Sequence, residues 1–391
     1  MLIIKIKLLI IFPSETRSGA EEYALTIGKA GINQGWEVNA AFPQTEKTIS
    51  LIKDFQEIGV TYHPLDIAPV DGKRLKLFRE HIPHCYRTFS LLEKVKPDVV
   101  HLTVPWPFWC FDTLVTCAVL NIPTVVVFQL FPGYYHYSKL RLKAYQWAYN
   151  RKQKWIAISN NNRHFISESF KIPQEELSVI YNGAKPSSEF LNYSPEDTVN
   201  LRHQVRQEIG ICPNDIILLT VGRLHSQKGY QDLVEVISPI IQEFSHAKFV
   251  WVGEGDKRKY LVKQINKQNL NNHVILLGYR TDVPRLMKAA DLFVFPTYFE
   301  GGQSFVVSEA MAYNLPIITS DASGIPEIID NKVHGLLFSK GDKEQLKQAI
   351  FWALKKPQAM QEMSKNAAMR LQNFSEEKMT EETLKIIENI T

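Results

Sequence analysis

Two short stretches hold the residue types best suited to chemistry. The first is TVGRLHSQKGYQDLVEVI at 220–237. A strand-like run ends at Gly222, where the missing side chain would let the backbone come close to a ligand. Arg223 and Lys228 then stand before or at the start of a helical pattern with Leu233, Val236 and Ile237 as its apolar face. Free N–H groups and the dipole at a helix start favour an anion, and two cations beside them suit a diphosphate. Such cations stabilise the charge that develops when a phosphate leaves. The plain alternative is a strand-to-helix turn with two solvated bases. The second stretch is PTYFEGGQSFVVSEAMA at 296–312, directly behind the apolar run DLFVF at 291–295. There Gly302, Gln303 and Ser304 lead into a helix opening near Phe305, so their backbone N–H groups form a second anion cradle. Glu309 lies about one turn into that helix. From there a carboxylate can accept two hydrogen bonds from a ribose diol, as an acidic residue does in dinucleotide folds. Glu300, ahead of the turn, would face a sugar. A solvated surface position is the alternative for Glu309, but Val306, Val307, Ala310 and Met311 around it are apolar.

These residues need strands and helices to hold them, and the chain supplies both in alternation. Short apolar runs recur at 3–12, 38–42, 98–102, 124–128, 154–159 and 177–183, then again at 215–224, 247–255, 273–279, 291–296, 315–321 and 335–338. Runs that are continuous instead of alternating belong to parallel sheets covered by helices on both faces. A stretch rich in Ser, Pro and acidic residues, KPSSEFLNYSPEDTVN at 185–200, separates the two series. The expected organisation is α/β: a first domain over 1–184, a linker over 185–213, a second domain over 214–372, and a helix over 373–391 that packs back on the first domain. Its 391 residues exceed what one core usually serves, and 45% hydrophobic content is enough for two. Ligands of open α/β sheets bind at the carboxyl ends of the strands.

Composition narrows the partners. The net charge is +4, with 22 Lys+Arg against 17 Asp+Glu in residues 1–190 and 23 against 24 in the remainder. That balance is too mild to argue for nucleic acid, and it directs an acidic partner to the first half. Cys85, Cys110, Cys117 and Cys212 form no C-x-x-C pair or zinc spacing, which fits a reduced, cytoplasmic home. Lys5 and Lys7 interrupt the apolar opening MLIIKIKLLIIF, so it reads as a buried strand and not as a leader.

The set GRLHSQKG, VGEGDKR, LLGYRTDVPRLMKAADLFVFPTYFEGG, SEAMAYNLPIITSDASGIPEII and HGLLF, in this order over roughly 215–345, resembles the retaining glycosyltransferases of family 4. The resemblance continues, less closely, through SGAEEYALTIGKAG (18–31), DVVHL and SVIYNG in the first half. It implies a GT-B fold, two doubly wound Rossmann-like domains facing a central cleft, and transfer of a hexose from a nucleotide-sugar donor (UDP-, GDP- or ADP-linked) to a hydroxyl acceptor, a glycan, a lipid-linked or a small molecule, with no metal or other cofactor required. By the same resemblance Arg223 and Lys228 hold the donor diphosphate, Glu309 binds the ribose and Glu300 the sugar. The backbone near Tyr279 meets the base, and Gly19 approaches the diphosphate from the first domain. One departure is that eight residues, not seven, separate Glu300 from Glu309. Another is Gln129, where many relatives carry a histidine after the strand matching TVVVF. A glutamine cannot exchange protons, but in the chemistry described for the family the leaving phosphate accepts the acceptor's proton.

His101 in DVVHLTVPW is the nearest candidate for a basic role, although a hydrogen-bonded histidine in a strand is the commoner outcome. In HIPH at 81–84 the intervening proline argues against a shared helix face, and no metal site is expected there. KLRLKAYQWAYNRKQKW at 139–155 mixes six basic residues with aromatics. It would suit an anionic membrane surface, giving a peripheral place at the inner face of the membrane, and equally an ordinary crossover helix. The aromatics of TVPWPFW at 103–109 are placed to stack on an acceptor sugar, and core packing accounts for several of them as well. Two alternatives to transfer remain, a nucleotide-sugar hydrolase or epimerase on the same frame and a non-catalytic nucleotide-sugar-binding protein.

Overall fold

The computed structural model describes residues 5–67, 81–183, 193–302 and 304–391. They form two compact units, Met1–Asn182 with Glu376–Thr391, and Gly183–Ser375. The first unit is built on a parallel sheet of β1 (Lys7–Ile11), β2 (Glu37–Phe42), β3 (Thr61–Pro64), β4 (Val99–Val104), β5 (Thr124–Phe128), β6 (Gln153–Ala157) and β7 (Ser178–Val179), in the spatial order β3-β2-β1-β4-β5-β6-β7. Its helices are α1 (Gly19–Asn33), α2 (Ile49–Glu57), α3 (Ile82–Val95), α4 (Phe111–Val119), α5 (Lys139–Tyr149) and α6 (Asn160–Phe170). Central strands such as β4 are buried at every residue, because helices cover both faces, and this is why they appear in the sequence as unbroken apolar runs. One core packs Leu92, Leu114, Tyr145 and Phe170 of α3 to α6 on the sheet. On the opposite face, Tyr23 and Ile27 of α1 join Phe55 of α2. β3 escapes the apolar pattern because TYHP is a half-exposed edge strand.

In the second unit β8 (Ile216–Val221), β9 (Ala247–Val252), β10 (Val274–Gly278), β11 (Leu292–Phe295), β12 (Ile317–Ser320) and β13 (Leu336–Phe338) form a parallel sheet ordered β10-β9-β8-β11-β12-β13. The helices are α7 (Pro195–Glu208), α8 (Tyr230–Glu243), α9 (Arg258–Lys267), α10 (Val283–Ala289), α11 (Phe305–Ala312), α12 (Ile325–Ile328), α13 (Lys343–Lys355) and α14 (Pro357–Leu371). Strand order reverses between β8 and β11, which makes their carboxyl ends the switch point where such sheets take ligands. Both units are thus doubly wound, Rossmann-like domains.

The expected linker over 185–213 needs correction. Residues 184–192 lie outside the described set, but 195–208 is helix α7, started by a capping box in which Ser194 and Asp197 exchange side-chain to backbone hydrogen bonds. Arg202 and the buried Arg206 of this helix both bind Asp291, so the stretch is part of the second domain. Polar composition suggested a loose segment, but here it is the outer face of a helix tied down by two arginines. The last helix, α15 (Glu376–Ile390), contributes Met379, Leu384 and Ile387 to the core of the first unit.

Candidate functional site

At the switch point, two loops leave β8 and β11 and brace each other. β8 runs into Gly222, and a short 3-10 turn at Ser226–Lys228 precedes α8. The Tyr298 backbone N–H donates to the Gln227 carbonyl at 2.7 Å, and Gln227 Nε2 donates to the Phe299 carbonyl at 2.7 Å. Gly229 joins the turn to α8 with φ of +70°, and a Cβ there would lie 1.9 Å from the Pro296 carbonyl oxygen. Only glycine lets the loops approach this closely. Gly253 does the same for the loop after β9, where a Cβ would stand 2.1 Å from the Gly222 carbonyl oxygen.

The bracing brings Lys228 and Glu300 together. Lys228 Nζ donates to Glu300 Oε1 at 2.6 Å and lies 5.1 Å from the centre of the Phe295 ring. Thr297 Oγ1 donates to the same carboxylate oxygen at 2.7 Å, and the Glu300 backbone N–H donates to Ser323 Oγ at 2.9 Å. Glu300 is 8% exposed, so this carboxylate is fixed in orientation. Arg223, five residues before the lysine, is exposed, and its guanidinium has no partner among the described residues. The sequence places Arg223, Lys228 and Glu300 in the site, but it gives no sign of Thr297 or Ser323. Ser323 stands in the left-handed region with φ of 52° ahead of Gly324, and only the Ser-Gly turn after β12 could have marked it.

Helix α11 follows Gly301 and Gly302. Ser304 is its buried N-cap residue but makes no side-chain capping bond, so it does not cap the N–H groups of the first turn. Gln303 lies outside the described residues. Four residues into the helix, Glu309 is partly buried, and its carboxylate has no hydrogen-bond partner among the described residues. Burial pushes its carboxyl up to about 7, because desolvation penalises the ionised form. A carboxylate held this way gains from any ligand hydroxyl that donates to it. Tyr279, just past β10, is 77% exposed.

The remaining expected residues belong to the first unit. Gly19 opens α1, whose N-cap Ser18 makes no capping bond to the helix backbone and donates its hydroxyl to Glu21. Gln129 follows β5 and accepts from Asn182 Nδ2 at 2.9 Å, while its own amide nitrogen is buried without a partner. His101 requires correction. It is fully buried, within 3.4 Å of Tyr23 Oη and 3.3 Å of Thr103 Oγ1. Desolvation lowers its pKa to about 4, so it is a neutral histidine of the core and not an exposed base. His81, the N-cap residue of α3, and His84 inside it both reach Asp112 of α4, at 2.5 and 3.3 Å, an acidic neighbour of which the sequence shows no sign. Pro83 is no obstacle because it occupies the first turn of α3, where its missing N–H costs nothing.

Comparison with known proteins follows this division. The model of glycosyl transferases group 1 matches residues 202–370, and that of glycosyltransferase family 4 matches residues 17–188. An uncharacterized glycosyltransferase of Methanocaldococcus jannaschii is 33% identical over 183 residues, 46% of this chain and 45% of that protein. The chain therefore spans about half the length of the first curated relatives it matches. The alpha-monoglucosyldiacylglycerol synthase of Acholeplasma laidlawii is 25% identical over 78% of this chain and 77% of its own. Among solved structures, Anabaena HepE in complex with UDP superposes with a TM-score of 0.79, covering 98% of this chain and 100% of that one at 21% identity. At that identity the likeness is one of fold.

Proposed function

We propose that the chain, whose two halves match the models of glycosyltransferase family 4 and glycosyl transferases group 1, moves a hexose from a nucleotide-sugar donor to a hydroxyl acceptor with retention of configuration. Glu309 carries this reading. A partly buried, desolvated carboxylate without a partner, one turn into a helix whose N-terminus adjoins a fixed Lys228–Glu300 pair, suits a ribose beside a diphosphate and a sugar. Arg223 and Lys228 bind the diphosphate and take up the charge released as the bond from the anomeric carbon to phosphate oxygen breaks. Glu300 orients the hexose by accepting from its hydroxyls. The acceptor oxygen bonds to the anomeric carbon from the side the phosphate leaves, and the departing phosphate oxygen takes the acceptor's proton, so Gln129 need not act as a base. These cations serve in place of a divalent ion, and transfer is expected to persist in excess chelator. HepE, crystallised with UDP and with UDP-glucose, makes uridine donors the first to try.

The test is nucleotide release from a panel of UDP-, GDP- and ADP-sugars, with Glu309→Ala as control. Release with one donor, lost in the variant, supports the reading. Nucleotide binding without turnover across all donors and acceptors sinks it in favour of a binding protein, and release at the full rate without acceptor points to a hydrolase.

The acceptor is proposed to be presented at an anionic membrane surface that touches the first domain. Residues 113–167 contain no Asp or Glu but seven Lys and Arg. On α5 and just beyond it, Lys139, Lys143, Trp147 and Arg151 are exposed at four-residue spacing, next to an 82% exposed Leu140, and the Arg151 guanidinium lies 5.1 Å from the Trp147 ring centre. α3, packed on the same sheet face, exposes Ile82, Tyr86 and Phe89. Bases with exposed aromatics and aliphatics suit the headgroup boundary, and none of the described helices is long and apolar enough to cross a membrane. Co-sedimentation with phosphatidylglycerol vesicles, absent with phosphatidylcholine alone and lost in Lys139→Glu/Lys143→Glu, is expected. Equal binding to both vesicle types would sink the idea.

A further inference from the structure

At the opposite end of the second sheet, away from the switch point, lies a cavity of about 710 Å³, within the range that small-molecule sites occupy. Its floor is the amino ends of β8 and β11, at Ile216 and Leu292, and its walls come from α7, α10, α13, α14 and the turn after α11. The site at the carboxyl ends is a strand's length away, roughly 15–20 Å.

Charge in this cavity is unbalanced. Its one carboxylate, Asp291, is fully engaged: Oδ1 accepts from Arg202, while Oδ2 accepts from Arg206 and from the Ile217 N–H, both at 2.8 Å. Lys288 is half-buried in the lining, with no ion pair or hydrogen bond among the described residues, and burial lowers its pKa. Lys365 stands exposed at the rim. The rest of the wall is largely apolar, with Leu292, Leu315 and Met360. A desolvated ammonium is costly unless something pairs with it, and here a cation without an anion faces an apolar pocket.

We propose that this cavity is a binding site for a small amphipathic anion, a phosphate or carboxylate on an apolar body, with Lys288 pairing the head and the Leu292–Leu315–Met360 wall covering the body. The turn lining it, Tyr313–Pro316, directly continues α11, whose first turns carry Ser304 and Glu309. An occupant would therefore bear on the far end of the helix that holds the proposed ribose carboxylate. The proposal does not depend on the transfer reaction, since the site can be tested by binding alone.

The experiment is calorimetric titration of the full chain with dodecyl phosphate below its micellar concentration, with inorganic phosphate in a parallel arm. Saturable binding of one dodecyl phosphate per chain is expected, with inorganic phosphate much weaker. Affinity should fall about tenfold or more in Lys288→Met, the loss of a charge-assisted contact, and in Gln361→Trp, which narrows the exposed mouth without touching the core. Thermal melting of both variants verifies that they fold. No saturable binding, undiminished binding in Lys288→Met, inorganic phosphate binding as tightly as dodecyl phosphate, or displacement by UDP would each overturn the proposal.

Discussion

Glu309→Gln offers a test in which function and stability move in opposite directions. Glu309 titrates at about 7 in the folded chain against 4.5 when unperturbed. Its protonated form contributes stability that is fully present below pH 4.5 and is lost as the pH rises through about 7, because over that window the native state holds a proton that the unfolded state has released. Each pH unit in the window is worth about 1.4 kcal/mol, so complete burial would cost the fold about 3 kcal/mol at pH 8. Some solvent reaches the side chain, and about 1–3 kcal/mol is the expected cost. Glutamine has the same shape and no charge to desolvate. The variant should therefore be more stable at pH 8, by roughly 3–10 °C in melting temperature for a domain of this size, with the gap closing as the pH falls toward 4.5. The same variant should bind UDP-glucose about tenfold or more weakly, since hydrogen bonds to an ionised carboxylate are replaced by neutral ones. Melting curves at pH 5 and 8, paired with calorimetry, read both effects. Equal melting at pH 8, or a gap that ignores pH, would refute the placement of Glu309 as a desolvated, unpartnered carboxylate.

Three further outcomes are expected. Lys228→Ala should lower kcat by about 10²–10³ while changing donor affinity less, and steady-state kinetics that show only a raised KM would count against its role at the leaving group. His101→Gln should cost about 1–3 kcal/mol in urea denaturation yet leave the pH profile of kcat in place. A hundredfold drop in kcat with the fold intact would restore the catalytic reading. Gly229→Ala, with its φ of +70° and a Cβ 1.9 Å from a carbonyl oxygen, should destabilise the second domain by more than about 3 kcal/mol, and an unchanged melting temperature would show that the two loops are less tightly joined than described.

Much of this protein is legible in its sequence. Buried parallel strands must be apolar on both faces, so twelve of them stand out as unbroken runs, and Gly229 and Gly253 sit in loops that leave no room for a Cβ. Arg223, Lys228, Glu300 and Glu309 stand out as candidates because they flank the glycine-bearing loops after two strands, where sheets of this kind take ligands. β3 does not, because an edge strand buries too little to impose a pattern. Nor does α7, whose polar sequence conceals two arginines fastened to an aspartate 89 residues from the first of them. Tertiary structure alone decided that His101 is a sealed core residue, that Lys228 bonds Glu300 across 72 positions on the carboxylate oxygen that Thr297 also reaches, and that Lys288 lines a cavity whose one carboxylate is taken by two arginines. Periodicity records which side of an element is buried, whereas the partner of a charged group depends on which distant loops the sheet order brings to the same edge.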